Sequence, residues 1–130
     1  MGLQIVDATL GTGYQTSMTA RTHSFTADEP VDLGGTDTAP TPIELLMGSL
    51  ASCTAITLRM YAQRKAWPLE GLDVQVAYTS APTPHFVKHI TVRGALDAVQ
   101  KARLLEIAEA CPVAKLLKAG AGSESRLATV

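Results

Sequence analysis

Residues 41–65 read TPIELLMGSLASCTAITLRMYAQRK, and this stretch decides how the rest of the chain is interpreted. Thr41 is a good N-cap, Pro42 suits the first helical position, and Glu44 stands at the spacing of a capping box. Residues 45–58 carry no charge, and this run is shorter than the roughly 20 apolar residues that cross a bilayer. The stretch therefore predicts one long helix that is buried on nearly every side.

Short strands are predicted before this helix. Residues 3–6, 14–22 and 24–27 contain β-branched and aromatic side chains and are separated by turn-like sequence, which is typical of an antiparallel meander. Residues 28–40 read DEPVDLGGTDTAP, a composition that predicts an extended loop leading into the helix. A loop of this length in a small domain is often functional.

A hairpin is predicted after the helix. Residues 69–80 alternate apolar and polar side chains, which indicates a half-buried strand. Residues 86–96 predict a second strand, with Phe86, Ile90 and Val92 as candidates for its apolar face. The two segments are joined by a short proline-containing turn, so we expect them to pair.

The last third of the chain predicts two helices and a strand. A helix is expected over residues 99–110, because Asp97 resembles an N-cap and Pro112 cannot continue the helix cleanly. A short helix is expected over 113–117 and a last strand over 125–130. Segregated strands and helices of this kind indicate an α+β fold, with one domain over the whole chain.

Composition limits the classes of partner. Of the 130 residues, 46% are apolar and 18% charged, which excludes a disordered chain, and the formal net charge is −1. This balance gives no electrostatic reason to expect nucleic acid or anionic lipid as a partner. The first ten residues lack a basic segment followed by an apolar one, so we expect a cytoplasmic protein with no membrane partner. In a reducing compartment, two cysteines are either buried thiols or a redox pair.

With these motifs assembled, the chain resembles the OsmC and Ohr proteins. The resemblance is carried by DEP…GG…PxPxELLx6C in the first half, which ends at Cys53, and by ACPV around Cys111 in the second. It covers residues 23–117, and only the two halves together are specific. The resemblance implies an OsmC-like α+β fold and an intertwined homodimer. In that dimer two long helices pack together, the subunits share sheets, and the thiols lie at the interface.

For the best understood members, the resemblance also implies reduction of organic hydroperoxides by a thiol mechanism. Cys53 then becomes the peroxidatic cysteine, whose thiolate attacks the peroxide, and Cys111 the resolving cysteine, which condenses with the resulting sulfenic acid. A dithiol reductant reopens the disulfide. No metal or organic cofactor is expected. An apolar wall on the long helix would favour hydroperoxides with hydrocarbon tails.

Two further residues are expected to support the thiolate. The family's peroxidases pair an arginine from the N-terminal strands with a glutamate directly after the proline at the helix start. Arg21 is the only arginine in the N-terminal part and is therefore the candidate. The glutamate position holds Ile43, and Glu44, one residue later, either orients the arginine or only completes the capping box. His23, in the HxF…DEP stretch, either lines the pocket or ends a strand.

Two functions remain open, because Ile43 places the chain nearer the OsmC-like branch, whose substrates are poorly defined. A cysteine-based peroxidase predicts a short sulfur-to-sulfur distance in a pocket open to solvent. A small-molecule-binding or redox-sensing module on the same fold would hold an apolar molecule at the dimer interface. It predicts thiols held apart or capped by packing, and no cation near Cys53. The sequence names neither the substrate nor the reductant.

Overall fold

The structure is a computed structural model and describes residues 2–129. The chain divides into two compact units, Met1–Gly48 and Ser49–Val130. The predicted α+β class is confirmed, whereas a single domain over the whole chain stays a prediction. In chain order the elements are β1 (Asp7–Leu10), β2 (Thr16–Ala20), β3 (His23–Ala27), a 3-10 helix (Val31–Leu33), α1 (Pro42–Arg64), β4 (Gly71–Thr79), β5 (His85–Arg93), α2 (Ala98–Ala108) and α3 (Pro112–Ala119).

The N-terminal unit contains the predicted antiparallel meander, in the order β1-β2-β3. The prediction of a strand over residues 3–6 was wrong, because the strand lies at Asp7–Leu10. Leu10 pairs with Thr16, and Asp7 pairs with Thr19. The residues of β1 that pair with β2 are therefore those closest to the turn between the two strands. All four residues of β1 are exposed.

Asp28, which is buried, holds the loop between β3 and α1 together. Its Oδ2 accepts hydrogen bonds from the hydroxyls of Thr36, at 2.7 Å, and Thr38, at 2.8 Å, and from the Thr38 N–H, at 3.1 Å. Its Oδ1 accepts the Glu29 N–H at 2.7 Å. Gly35 is required beside it, because a Cβ there would lie 2.0 Å from the Glu29 carbonyl oxygen. These hydrogen bonds, led by the Thr36 hydroxyl, hold the pKa of Asp28 well below its ordinary value.

Asp28→Asn is expected to lower the thermal midpoint at neutral pH by about 5 °C or more, because an amide replaces one accepting oxygen with a donor. The folded-state pKa of Asp28 is lowered, so its stabilisation is complete above the ordinary value of 3.8 and is lost as pH falls below it. The difference in midpoint between the wild type and Asp28→Asn, followed by circular dichroism, should therefore shrink between about pH 5 and pH 2. Asp32→Asn, which changes an exposed carboxylate of the same loop, is the control. A difference independent of pH would contradict this account.

Helix α1 begins where its sequence predicts. The Thr41 N–H donates to Glu44 Oε1 at 2.9 Å, and the Glu44 N–H donates to Thr41 Oγ1 at 3.1 Å. This is the predicted capping box, and Pro42 is the first helical residue. The backbone amides of Thr41 and Glu44 therefore find partners within the same turn.

The expectation that α1 is buried on nearly every side was wrong for the single chain. Its buried residues form one stripe with a spacing of four, consisting of Leu50, Thr54, Leu58 and Ala62. Ile56 and Met60 are 59% and 54% exposed.

By length and a mean hydropathy of 1.3, α1 could also cross a membrane, but one such helix is equally typical of the core of a soluble protein.

The C-terminal unit contains the predicted hairpin of β4 and β5, whose Leu72, Ile90 and Val92 pack against the buried core. The register pairs Gly71 with Arg93 and Thr79 with His85. Strand β5 ends at Arg93, earlier than predicted, because Gly94 has a φ of 131°. A Cβ on Gly94 would also lie 2.0 Å from the Pro68 carbonyl oxygen. The buried core cluster contains Leu58, Ala62, Leu69, Leu96, Leu104 and Ala108.

The two remaining helices position the end of the chain. Asp97 caps α2 in a reciprocal capping box with Gln100, as its sequence predicts, and α2 ends at Ala108. Pro112 opens α3. The prediction of a last strand over 125–130 was wrong for residues 125–129, and Val130 lies outside the described residues. Residues 125–129 are exposed, and no described strand pairs with them. A strand needs a neighbouring strand and a surface against which its side chains pack, and this segment has neither.

Candidate functional site

The two cysteines are neighbours in the C-terminal unit and differ in their exposure. Cys53 lies midway along α1 and is partly exposed, whereas Cys111 is completely buried, at 0% exposure. Both are free thiols. Thr54, which follows Cys53, places its Oγ1 3.6 Å from Cys111 Sγ. The Cys53 thiol is also a hydrogen-bonding neighbour of Cys111, so the structure brings together the two thiols that the sequence singled out.

Cys111 is the N-cap of α3. Its Sγ accepts a hydrogen bond from the Ala114 N–H at 3.4 Å, the contact that a Ser, Thr or Asp side chain makes at other helix starts. The amides at a helix N-terminus carry partial positive charge, so negative charge on this sulfur is favoured. Pro112 fits directly behind it, because the first helical position needs no N–H donor.

Lys88 supplies a buried cation beside this sulfur. Its side chain is only 8% exposed, and its Nζ donates to Thr54 Oγ1 at 3.2 Å and to the Ala108 carbonyl oxygen at 2.7 Å. Nζ also forms an ion pair with Glu109 Oε2 at 3.1 Å, and Glu109 is 75% exposed. An ammonium is only a donor, so Thr54 Oγ1 accepts from it, and the hydroxyl hydrogen is available for donation to Cys111 Sγ.

These contacts favour the thiolate form of Cys111. Burial is the largest single effect and raises the pKa of the Cys111 thiol. Hydrogen bonds from Thr54, Ala114 and Cys53 lower the pKa of this thiol. The positive charge of Lys88 lowers it further. The opposing contributions together outweigh burial, and the pKa of Cys111 lies below its ordinary value.

The same unit contains a cavity of about 530 Å³ that neither cysteine lines but that is reached by residues next to Cys111. Ala114, which donates to Cys111, and Leu50, on the buried stripe of α1, both line it. Its wall is mainly apolar, and Lys88 and Glu109 form part of it. A cavity with these walls suits a ligand that has a hydrocarbon portion.

The two supporting residues expected from the resemblance lie in the N-terminal unit. Arg21 occupies the two-residue turn between β2 and β3, is exposed, and has a φ of 57°. His23 is exposed at the start of β3. Glu44 is engaged in the capping box with Thr41, which is one of its two expected roles. A role for Arg21 or Glu44 at the thiols stays a prediction.

Thr54 and Lys88 were not predicted from the sequence. Both interrupt an otherwise apolar pattern: Thr54 lies between Leu50 and Leu58 on the buried stripe of α1, and Lys88 lies on the inward face of β5, between Phe86 and Ile90. A polar residue at an inward position must find a partner, which is the signal that could have identified both.

Comparison with solved structures shows the same fold in other proteins. A Psychrobacter arcticus protein described as an osmotic stress induced and detoxification response protein is 26% identical, with a TM-score of 0.77 and 88% of each chain covered. The organic hydroperoxide resistance protein OsmC of Legionella pneumophila is 22% identical, with a TM-score of 0.66, and 91% of this chain and 90% of that one are covered. For the organic hydroperoxide resistance protein OhrB of Bacillus subtilis, the identity is 20% and the TM-score 0.60, over 90% and 91%.

Sequence comparison agrees with the resemblance carried by the two cysteine motifs. No curated protein sequence matches the chain significantly. A model of the family described as OsmC-like protein matches residues 35–124, which include both cysteines, Thr54 and Lys88. This match covers more than half of the sequence. The chain therefore belongs to the OsmC-like protein family.

Proposed function

We propose that the chain is a thiol-dependent peroxidase that reduces organic hydroperoxides in the cytoplasm, with Cys53 peroxidatic and Cys111 resolving. The observation that carries the proposal is the pairing of a partly exposed thiol with a buried neighbour whose thiolate is favoured. A peroxide reaches the more exposed sulfur first. The second thiol must be close enough to trap the sulfenic acid before further oxidation.

The proposed reaction begins when the Cys53 thiolate attacks an oxygen of the hydroperoxide. The O–O bond breaks, the alcohol leaves after taking a proton from solvent, and Cys53 becomes a sulfenic acid. The Cys111 thiolate then attacks the Cys53 sulfur, and hydroxide leaves and is protonated to water. A dithiol reductant reopens the resulting disulfide.

Support for the substrate class comes from the cavity and from the family. The mainly apolar cavity, lined by Ala114 next to Cys111, suits a hydroperoxide with a hydrocarbon tail. Two of the structurally similar proteins are named organic hydroperoxide resistance proteins. We further propose that Arg21 stabilises the Cys53 thiolate, and that Glu44 orients this arginine in addition to capping α1.

The test is consumption of cumene hydroperoxide by the reduced protein with dithiothreitol as reductant. We expect turnover well above the buffer rate, slower turnover with hydrogen peroxide, and slower turnover when a monothiol replaces the dithiol. Consumption no faster than buffer would contradict the proposal. The chain would then be better described as a small-molecule-binding or redox-sensing module, and the cavity would be its ligand site.

We also propose that the protein is a homodimer joined through the exposed face of α1. Ile56 and Met60, one turn apart, expose large apolar side chains on this face. In the other unit, every residue of the edge strand β1 is exposed. Both features would be covered in the intertwined dimer that the family resemblance implies.

Ile56→Glu is expected to convert the dimer into monomers, because each interface would have to bury a carboxylate without a partner. Analytical ultracentrifugation should show a dimer for the wild type and a lower average mass for Ile56→Glu at micromolar concentration. Thr57→Glu introduces the same charge at the next, less exposed position and serves as a comparison. A wild type that sediments as a monomer would contradict the dimer.

A further inference from the structure

We propose that Lys88 and Thr54 are positioning residues for the resolving step, which keep the Cys111 sulfur in its thiolate form. This inference rests on the proposed function, because it assigns the groups that prepare the second thiol. It concerns residues other than the two cysteines and the expected Arg21. Neither Lys88 nor Thr54 belongs to the two sequence motifs on which the family resemblance was based.

Burial of Lys88 is the first argument. A lysine side chain is costly to bury unless all its donors are satisfied, and this one lies on the inward face of β5. Its Nζ donates to Thr54 Oγ1 and to the Ala108 carbonyl oxygen, and it forms an ion pair with Glu109 Oε2. Thr54 Oγ1 in turn lies 3.6 Å from Cys111 Sγ. Its influence on Cys111 therefore passes through Thr54 as well as through its charge.

The direction of the Thr54 hydrogen bond is the second argument. Because Lys88 donates to Thr54 Oγ1, the hydroxyl hydrogen is free to point at Cys111 Sγ, 3.6 Å away. Donation from an ammonium polarises the hydroxyl and strengthens the bond that it donates in turn. The sulfur thus receives the Thr54 O–H on one side and the Ala114 N–H on another. Both donors favour negative charge on it.

A stabilised Cys111 thiolate serves both halves of the cycle. In resolution it attacks the Cys53 sulfenic acid, a new S–S bond forms, and hydroxide leaves with the electrons of the S–O bond and is protonated by solvent. In reduction, a thiolate of the dithiol attacks Cys53, the S–S bond breaks, and Cys111 leaves with the electron pair. A stabilised thiolate is a good leaving group and Cys53 is the more exposed sulfur, so the mixed disulfide with reductant forms on Cys53.

The first experiment measures the ionisation of Cys111 without any peroxide. In the Cys53→Ser protein, the ultraviolet absorbance of the thiolate is followed against pH. Adding Lys88→Met or Thr54→Val should raise the titration midpoint, because each removes a group that favours the thiolate while keeping a similar shape. Lys101→Met, a change at an exposed lysine on α2, is the matched control and should leave the midpoint unchanged. Lys88 and Glu109, from β5 and the end of α2, are the charged groups that bear on this titration.

The second experiment separates the two chemical steps. After a single equivalent of cumene hydroperoxide, loss of the Cys53 thiol and formation of the disulfide are timed by acid quench and mass spectrometry. Lys88→Met and Thr54→Val should slow disulfide formation about tenfold while changing Cys53 oxidation less than about twofold. Lys88→Arg, which keeps the charge, should recover most of the rate.

The outcomes distinguish this inference from the proposed function. A wild type that does not react with hydroperoxide contradicts the proposed function, whereas the titration still decides whether Lys88 and Thr54 act on Cys111. Unchanged midpoints in both Lys88→Met and Thr54→Val would overturn the inference. Equal slowing of the two chemical steps would also overturn it, because that is the signature of a general structural defect. Circular dichroism and thermal midpoints of each variant identify such a defect independently.

Discussion

Replacing Cys53 with serine is expected to lower the rate of cumene hydroperoxide consumption at least about a thousandfold. A hydroxyl is a far weaker nucleophile than a thiolate and cannot pass through the sulfenic acid and disulfide stages. The change is sterically mild, because Cys53 is only partly buried and serine is slightly smaller. The rate is measured with the reduced variant and dithiothreitol in excess.

The control for this prediction is the fold of the variant. Cys53→Ser should keep the circular dichroism spectrum and the oligomeric state of the wild type. If Cys53→Ser kept more than about a tenth of the wild-type rate, Cys53 would not be the nucleophile. Cys111 would then have to react directly with peroxide, despite its complete burial.

Replacing Cys111 with serine is expected to arrest the protein after the first chemical step. Cys53 should still react with hydroperoxide, but its sulfenic acid then has no neighbouring thiol to attack it. Sustained turnover with a dithiol should fall by about a hundredfold, and excess peroxide should drive Cys53 to the sulfinic acid. Mass spectrometry after treatment with dimedone should locate one adduct, on Cys53.

A Cys111→Ser protein that turns over at the wild-type rate would contradict this role. An external thiol would then resolve the sulfenic acid directly, and the contacts of Lys88 and Thr54 would have no part in catalysis. Cys111→Ala is the second variant, because serine retains a capping hydroxyl at the start of α3 and alanine does not. If Cys111→Ser and Cys111→Ala have the same turnover and the same Cys53 products, the defect comes from the loss of the thiol and not from the loss of the helix cap.

Local signals in the sequence were sufficient for most of the fold. The capping boxes of α1 and α2, the proline at the start of α3 and the alternation in β4 all act over a few residues, and the structure has each of them. The errors occurred where a partner decides the outcome. The first strand is set by its register with β2, and residues 125–129 have no described partner strand.

The candidate site was only partly predictable for the same physical reason. The cysteine pair was identified from motifs, and the structure places the two thiols close together. Lys88 and Thr54 were overlooked because each is a single polar residue within an apolar pattern. Lys88 on β5 and Thr54 on α1 come into contact only in the folded chain. Hydrophobic periodicity describes a single helix or strand and cannot predict a contact between two elements so far apart in the sequence. The exposed face of α1 was not predicted, because high hydropathy predicts burial without saying which face of the helix is buried.

The most direct test of the central claim is to locate the bond formed by peroxide. The anaerobically reduced protein is treated with a single equivalent of cumene hydroperoxide, quenched in acid with an alkylating agent, digested and analysed by mass spectrometry. The account predicts rapid loss of both thiols, an intact mass lower by two hydrogens, and one peptide pair linked through Cys53 and Cys111. Thiols that remain free and alkylated after a large excess of hydroperoxide would contradict the account.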